Sequence, residues 1–219
     1  MFIKSYKKTT CVNGCELFFD DSNYKYWENR SATTDEIDIV KYINKINNKK
    51  IKILHIGIGN SYFAKNILNF ESIDGITISG SELNYAKELK INNYNIYFVN
   101  KLSNNAFNQN KLLNSYDLIV DANIKSFSCC KVSFERLFRT YVSKLSEKGT
   151  IITGRRGMNW TRLVRPVYSF SFRNLIYKRL KEFDGPVTNI LSINQCENLA
   201  KIYNLKLFYN EQICTFKKI

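Results

Sequence analysis

The sequence predicts an α/β fold, a three-layer sandwich whose seven-stranded and mostly parallel sheet ends in an antiparallel hairpin. Two observations lead to this prediction. Short β-branched runs alternate with helical segments along most of the chain, and this alternation favours parallel strands joined by right-handed crossovers. The last two strand-like runs are separated only by Asn210 and Glu211, and a connection this short permits only an antiparallel hairpin.

Local sequence signals place the helices. Thr33 and Glu36 have the S/T-x-x-E form of a capping box, and Ser192 with Gln195 has the related S-x-x-Q form at the start of the last helix. Gly149 is expected to end the helix that precedes the fifth strand. Helices are therefore predicted at residues 33–47, 62–68, from 81 onward, 132–145 and 192–203.

The strands are predicted from short apolar segments that are rich in β-branched and aromatic residues. They alternate with the helices until the terminal hairpin. The predicted strands are residues 50–56, 72–79, 95–99, 116–121, 150–153, 205–209 and 212–217.

The composition is that of one folded domain. With 219 residues, 44% of them hydrophobic, residues 1–219 are predicted to form a single domain with one core. Residues 1–32 are interpreted as an N-terminal arm or lid, and residues 155–190 as an insertion that caps a substrate site. The six cysteines lack the paired spacing of a zinc site, so no metal is expected. No apolar run is long enough to span a membrane and the start lacks a secretory signal, so a cytoplasmic protein without a membrane partner is expected.

The segment 51–61 carries the strongest indication of function. It is an apolar strand followed by a Gly-x-Gly turn at Gly57 and Gly59 and then by a helical segment. Glycines in this turn let a ligand approach the backbone, and the helix offers free N–H groups, so a nucleoside-type ligand is indicated. A dinucleotide site would need a third glycine where Tyr62 stands, and the Gly-Lys-Ser/Thr of a P-loop is missing.

This strand, turn and helix resemble the first motif of the class I S-adenosylmethionine-dependent methyltransferases, a Rossmann-like family, and the terminal antiparallel strand extends the resemblance over residues 51–219. The resemblance implies S-adenosylmethionine as the cofactor and S-adenosylhomocysteine as the product. The family usually has an acidic residue before the turn, where this sequence has His55. It usually has another after the second strand, where Thr77 stands, so Glu82 becomes the candidate for the ribose contact.

Ligands of an open α/β sheet bind beyond the carboxyl ends of the strands, so the polar residues that follow the strands are the site candidates. Asp121 is interpreted as a substrate-orienting residue or base, and His55 as a second catalytic candidate. Arg155, Arg156 and Trp160 are predicted to bind the substrate, because arginine makes bidentate contacts with anionic groups. The resemblance implies cofactor contacts from His55, Gly57, Gly59, Asn60, Ser61, Thr77, Ser79, Glu82, Asn100 and Asp121.

The predicted function is methyl transfer to a small-molecule acceptor that could be anionic. Two alternatives stay open: an aminopropyltransferase similar to the spermidine synthases, and an RNA-binding protein or RNA methyltransferase with this fold. The first would need several carboxylates to hold a polyamine, and few acidic residues follow the fourth strand. The net charge of +14 would favour a nucleic acid, but lysine, asparagine and isoleucine are abundant throughout, so diffuse lysine indicates little about partners.

Overall fold

A computed structural model of the protein describes residues 29–46, 49–103, 106–107, 112–125, 131–156 and 190–219. Helices and strands alternate in these residues. The strands are β1 (Lys52–Ile56), β2 (Ser72–Thr77), β3 (Tyr94–Phe98), β4 (Tyr116–Val120), β5 (Leu145–Gly154), β6 (Leu205–Tyr209) and β7 (Ile213–Lys218). The helices are α1 (Thr34–Ile46), α2 (Tyr62–Asn66), α3 (Gly80–Glu88), α4 (Lys131–Ser143) and α5 (Ile193–Ile202).

The strands form one seven-stranded sheet in the order β3-β2-β1-β4-β5-β7-β6. The first five strands in this order, β3, β2, β1, β4 and β5, each pair in parallel with their neighbours. By contrast, β7 pairs antiparallel with both β5 and β6. The predicted fold class is therefore confirmed, because the sheet is mostly parallel and ends in an antiparallel hairpin.

Helices cover both faces of the sheet and complete the three layers. On one face, α1, α2 and α3 bury apolar side chains such as Ile39 and Phe63 against the strands. On the other face, α4 and α5 do the same, and the ring of Phe138 packs edge-on against Phe216 of β7 with centroids 5.1 Å apart. None of the described helices has both the length and the apolar character that a membrane span requires.

Both predicted capping boxes are confirmed. The Glu36 N–H donates to Thr33 Oγ1 at 3.3 Å, and the Thr33 N–H donates back to Glu36 Oε2 at 2.8 Å. At the start of α5, the Gln195 N–H donates to Ser192 Oγ at 3.2 Å and the Ser192 N–H donates to Gln195 Oε1 at 3.0 Å. These side chains satisfy N–H groups that have no partner inside their helices, which is why the two helices begin where the sequence indicates.

The role predicted for Gly149 is wrong, because it lies inside β5 and does not end a helix. Tyr116 of β4 pairs with Leu145, but Leu118 pairs with Thr150, so extra residues of β5 bulge out between these two pairs. A Cβ on Gly149 would lie 2.9 Å from the carbonyl oxygen of Tyr116. The glycine therefore allows a close approach of two backbones, and β5 begins earlier than predicted.

The two segments predicted to lie over the site fall mostly outside the described residues. Of the arm at residues 1–32, only residues 29–32 are described, and of the insertion at 155–190 only residues 155, 156 and 190. Their roles as lid and substrate cap stay predictions.

Candidate functional site

The candidate site lies at the edge of the sheet where the parallel strands end. β1 has β2 on one side and β4 on the other, so the order of the strands reverses between β1 and β4. Such a switch point leaves a crevice beyond the carboxyl ends of the strands. The predicted site residues follow β1, β2, β3, β4 and β5, and the topology therefore brings them to one edge.

The turn after β1 has a backbone that favours glycine. Gly57 and Gly59 have φ angles of +72° and +51°, in the left-handed region. The Gly57 N–H donates to the Ile76 carbonyl of β2 at 2.9 Å, which holds the turn against the neighbouring strand. A Cβ on Gly57 would meet no atom of the described residues within 4 Å. As far as these residues go, the space above this glycine is therefore open to a ligand.

Ser61 completes the turn, with φ of +59°, but its side chain faces the interior. Its hydroxyl is 3.1 Å from the hydroxyl of Tyr94, with which it shares a hydrogen bond. A contact between Ser61 and a ligand would therefore come from its backbone.

The carboxylate of Glu82 joins the glycine turn to the end of β2. Its Oε2 accepts hydrogen bonds from the Thr77 hydroxyl at 2.6 Å and from the Gly59 N–H at 3.2 Å. The side chain reaches back to β2 because Ser79 caps α3, accepting the Glu82 N–H at 3.1 Å, while the Ser79 N–H donates to Thr77 Oγ1 at 3.0 Å. A carboxylate thus lies at the end of β2, although the sequence has threonine there.

An ion pair that the sequence analysis did not predict lies over the glycine turn. The Arg30 guanidinium donates from Nη1 and Nη2 to the two carboxylate oxygens of Glu36, at 2.8 and 2.5 Å. Arg30 Nη2 would be 3.1 Å from a Cβ on Gly59, and Asn60 Nδ2 donates to the Arg30 carbonyl at 3.2 Å. The segment before α1 is therefore fastened to the turn. The sequence indicates Glu36 only as a capping residue, and no local pattern indicates its arginine partner.

His55 is buried at the end of β1. Its ring packs edge-on against Phe63 of α2, with centroids 4.5 Å apart. Burial lowers the pKa of His55 to about 4, although the nearby Glu36 carboxylate acts in the opposite direction. His55 is therefore neutral at physiological pH. Its Nδ1 atom is buried and has no hydrogen-bond partner among the described residues.

Burial of neutral His55 predicts a pH dependence of stability. The unfolded chain takes up a proton near pH 6.5 and the folded protein only near pH 4, so stability is full above this window and falls as the pH decreases through it. Between about pH 8 and pH 5 the loss from this residue amounts to about 2 kcal/mol. Because His55 is the only histidine, urea unfolding of the His55→Gln variant should lack this loss. Equal pH slopes in the two proteins would contradict the buried neutral imidazole.

Asp121, which follows β4, belongs to a buried charged cluster. Its Oδ2 accepts hydrogen bonds from Lys101 Nζ and from the Tyr141 hydroxyl, each at 2.8 Å. The side chains of Asp121 and Lys101 are 3% and 10% exposed, so the ion pair is largely out of water. Burial and then the Asp121 charge raise the pKa of Tyr141 well above its ordinary value, which keeps the hydroxyl as a donor. Lys101 and Tyr141 as the partners of this carboxylate were not predicted.

Asn100, the predicted cofactor contact after β3, is buried and shapes the turn in which it lies. Its Oδ1 accepts the Leu102 N–H at 2.9 Å, and its carbonyl accepts the Ser103 N–H at 3.1 Å. This geometry fixes the path of the chain towards Lys101 and so helps to place the ion pair of Asp121.

Arg155 and Arg156, predicted as one substrate-binding pair, lie on opposite sides of the sheet. The Arg155 guanidinium carbon lies 5.7 Å from the ring centroid of Tyr209 in β6. Arg156 faces α1, with its Nε 3.7 Å from the Asp38 carboxylate. Both residues lie beyond β5, which ends at Gly154. Trp160, the third predicted substrate contact, lies outside the described residues.

Several buried polar atoms at this edge have no hydrogen-bond partner within the described residues. Buried polar atoms of folded proteins are usually paired, so such a group of atoms indicates a ligand surface. The atoms are His55 Nδ1, Asn60 Oδ1, Asn123 Oδ1, Thr153 Oγ1 and the Nε and Nη1 atoms of Arg155. The first two belong to β1 and to the turn after it, and the Glu82 carboxylate accepts the Gly59 N–H of the same turn, so this part of the edge is the candidate ligand site.

No protein-family model matches this sequence, and no curated protein matches it either. Solved structures do match the fold. The N-methyltransferase NodS from Bradyrhizobium japonicum WM9, in complex with S-adenosyl-L-homocysteine, is 12% identical with a TM-score of 0.58, over 90% of this chain and 93% of that one. CalS10, a SAM-bound amino pentose methyltransferase from Micromonospora echinaspora, is 8% identical with a TM-score of 0.57, over 93% and 99%. A TehB-like SAM-dependent methyltransferase from Corynebacterium glutamicum ATCC 13032 is 13% identical with a TM-score of 0.53, over 87% and 90%. The fold is that of the class I methyltransferases.

Proposed function

We propose that this chain, which has the class I methyltransferase fold, is an S-adenosylmethionine-dependent methyltransferase that acts on a small-molecule acceptor in the cytoplasm. The observation that carries the proposal is the position of the Glu82 carboxylate. It lies between the glycine turn and the end of β2, bonded to Gly59 and Thr77. A carboxylate at this place can accept two ribose hydroxyls, while the open space above Gly57 admits the rest of the nucleoside.

The cofactor-binding roles are divided among the strand ends. Glu82 is proposed to hold the ribose, and the backbone of the glycine turn to line the amino-acid part, with His55 Nδ1 and Asn60 Oδ1 as its polar contacts. Asn100 is proposed to border the base. Fastening of Arg30 to Glu36 over the turn would restrict the motion of the turn before the cofactor binds.

The chemistry requires little from the side chains. S-Adenosylmethionine supplies a methyl group on a positively charged sulfur, which a nucleophilic acceptor can attack directly. The residues of this chain therefore act mainly by aligning the acceptor and excluding water. Neutral His55 and Asp121 are the candidates for orienting the acceptor or taking its proton. Lys101 and Tyr141 hold the Asp121 side chain in a fixed position. This suits a role in orienting the acceptor better than a role that requires the carboxylate to move.

Calorimetric titration tests the proposal directly. S-Adenosylmethionine, S-adenosylhomocysteine or both should bind with micromolar or tighter affinity, because several buried polar atoms at the strand ends have no protein partner among the described residues. Absence of heat and of any thermal shift at millimolar ligand would contradict the proposal.

The same titration separates the two alternatives. An aminopropyltransferase would prefer decarboxylated S-adenosylmethionine, whereas a methyltransferase should bind the carboxylated cofactor more tightly. The basic residues Lys101 and Arg155 follow β3 and β5, which does not favour a polyamine site. Binding of RNA that weakens steeply with salt, without any cofactor binding, would instead select a nucleic-acid-binding protein.

A further inference from the structure

Arg155 occupies a fixed position at the edge of the site. Its N–H donates to the Gln212 carbonyl at 2.7 Å, which continues the pairing of β5 with β7 by one residue. Its guanidinium lies against the ring of Tyr209, which ends β6 at the same edge of the sheet. The side chain therefore begins at the end of β5, the strand that neighbours β4 on the side away from β1.

The guanidinium of Arg155 has no hydrogen bond or ion pair with any described residue. Its Nε and Nη1 atoms are nevertheless buried from water. Arg155 as a whole is half-buried, but a buried N–H without a partner is costly, and the ring of Tyr209 offers only a weak cation–π contact in compensation. Arg156, the neighbouring cation, is different, because the Asp38 carboxylate faces it. Arg155 is thus a cation at the site that the described residues leave without a counter-ion.

The residues around Arg155 are mixed in charge, since the Asp35 carboxylate lies against Gly154 and the Glu197 carboxylate is near Cys196, but several of them are neutral. On its side of the sheet lie the buried thiols of Cys196 and Cys214, 3.5 Å apart, and Thr153, which pairs with Cys214. The Thr153 hydroxyl is fully buried and has no partner among the described residues. Lys125, also buried, contacts the Gln195 side chain at 3.3 Å at the start of α5. An incoming anion would therefore meet the N–H groups of Arg155 and the Thr153 hydroxyl as donors at this place.

The geometry points to Arg155 as the residue that binds an oxyanion, a carboxylate or phosphate carried by the methyl acceptor. That the anion belongs to the methyl acceptor rests on the proposed function. The existence of the anion site does not depend on it. Arg156 has no part in the site, because it lies on the other face and is paired with α1. The substrate class that follows is a small anionic molecule whose charged end is buried against β5 while its nucleophile faces the cofactor.

The test uses inorganic phosphate and acetate as probes, with melting temperatures measured at constant ionic strength. Wild type is compared with Arg155→Met, which keeps the apolar stem and removes the charge. Arg139→Met is the matched control, because Arg139 is an exposed arginine of α4. Phosphate or acetate should raise the melting temperature of the wild type and of Arg139→Met saturably, with at least tenfold weaker apparent affinity in Arg155→Met. A response to both probes assigns a general oxyanion site, and a response to one identifies the preferred group.

Two further measurements separate this inference from the proposed function. Without anions, Arg155→Met should melt at the same temperature as wild type or higher, because the substitution removes buried N–H groups that have no partner among the described residues. Its affinity for S-adenosylhomocysteine should be unchanged. Equal anion stabilisation of wild type and Arg155→Met, or no stabilisation of wild type, would overturn the anion site. Loss of S-adenosylhomocysteine binding only in Arg155→Met would place Arg155 in the cofactor site. If the wild type itself does not bind S-adenosylhomocysteine, only the proposed function is contradicted.

Discussion

Replacing Asp121 by alanine is expected to lower the free energy of unfolding by about 3–5 kcal/mol, because it leaves a buried ammonium without its carboxylate. Lys101 Nζ and the Tyr141 hydroxyl both donate to Asp121 Oδ2, and the Lys101 side chain is only 10% exposed. Urea unfolding monitored by circular dichroism measures the loss. The matched control is Glu71→Ala, which breaks an exposed ion pair with Lys52 and should cost about 1 kcal/mol or less.

A double variant separates the contribution of Asp121 to protein stability from its role in methyl transfer. Lys101→Met combined with Asp121→Asn removes both charges but keeps an acceptor for Tyr141, so it should recover most of the lost stability. If methyl transfer returns together with stability, the carboxylate only holds the site in shape. If the double variant is stable but at least about a hundredfold slower, the carboxylate orients or deprotonates the acceptor. A destabilisation by Asp121→Ala no larger than that of Glu71→Ala would contradict the buried cluster.

The fold could be predicted from the sequence because its determinants are local. The capping boxes at Thr33 and Ser192 depend on residues three positions apart, and both form as the sequence indicates. The short connection at Asn210 and Glu211 requires an antiparallel hairpin whatever the rest of the chain does. Gly149 was assigned wrongly because a glycine after a helix also suits a bulge, and only the partner strand decides between them.

The site could be predicted only in part, because its side chains meet across long stretches of sequence. The topology rule predicts that the strand-end residues share one edge, whereas Glu82 was the ribose candidate through the family resemblance, and its carboxylate accepts the Gly59 N–H of the turn. Nothing local indicates that Arg30 contacts the turn at Gly59, or that Tyr141 of α4 contacts Asp121. Nor does a local pattern separate Arg155 from Arg156, because both follow the end of β5 at Gly154 and the two-residue period of a strand does not extend to them.

Replacing Glu82 by alanine should weaken binding of S-adenosylhomocysteine by about 1.5–3 kcal/mol, or about ten- to a hundredfold, which is the usual scale for hydrogen bonds to a charged group. The reason is twofold. The carboxylate is the candidate acceptor for the ribose hydroxyls, and it also holds the turn through Gly59 and the end of β2 through Thr77. Isothermal titration calorimetry measures the change in affinity, and urea unfolding shows whether the variant stays folded.

Two further variants distinguish the reasons for that loss. Glu88→Ala removes the same charge from an exposed position of the same helix, so it should leave affinity unchanged. Glu82→Gln keeps an oxygen that can accept from Gly59 and Thr77 but is neutral, so it preserves the turn and lacks the charge. If Glu82→Gln binds as wild type does, the residue acts by shaping the turn. If it binds as weakly as Glu82→Ala, the charged carboxylate itself contacts the ligand. Equal affinities for Glu82→Ala and Glu88→Ala would show that the ribose is held elsewhere.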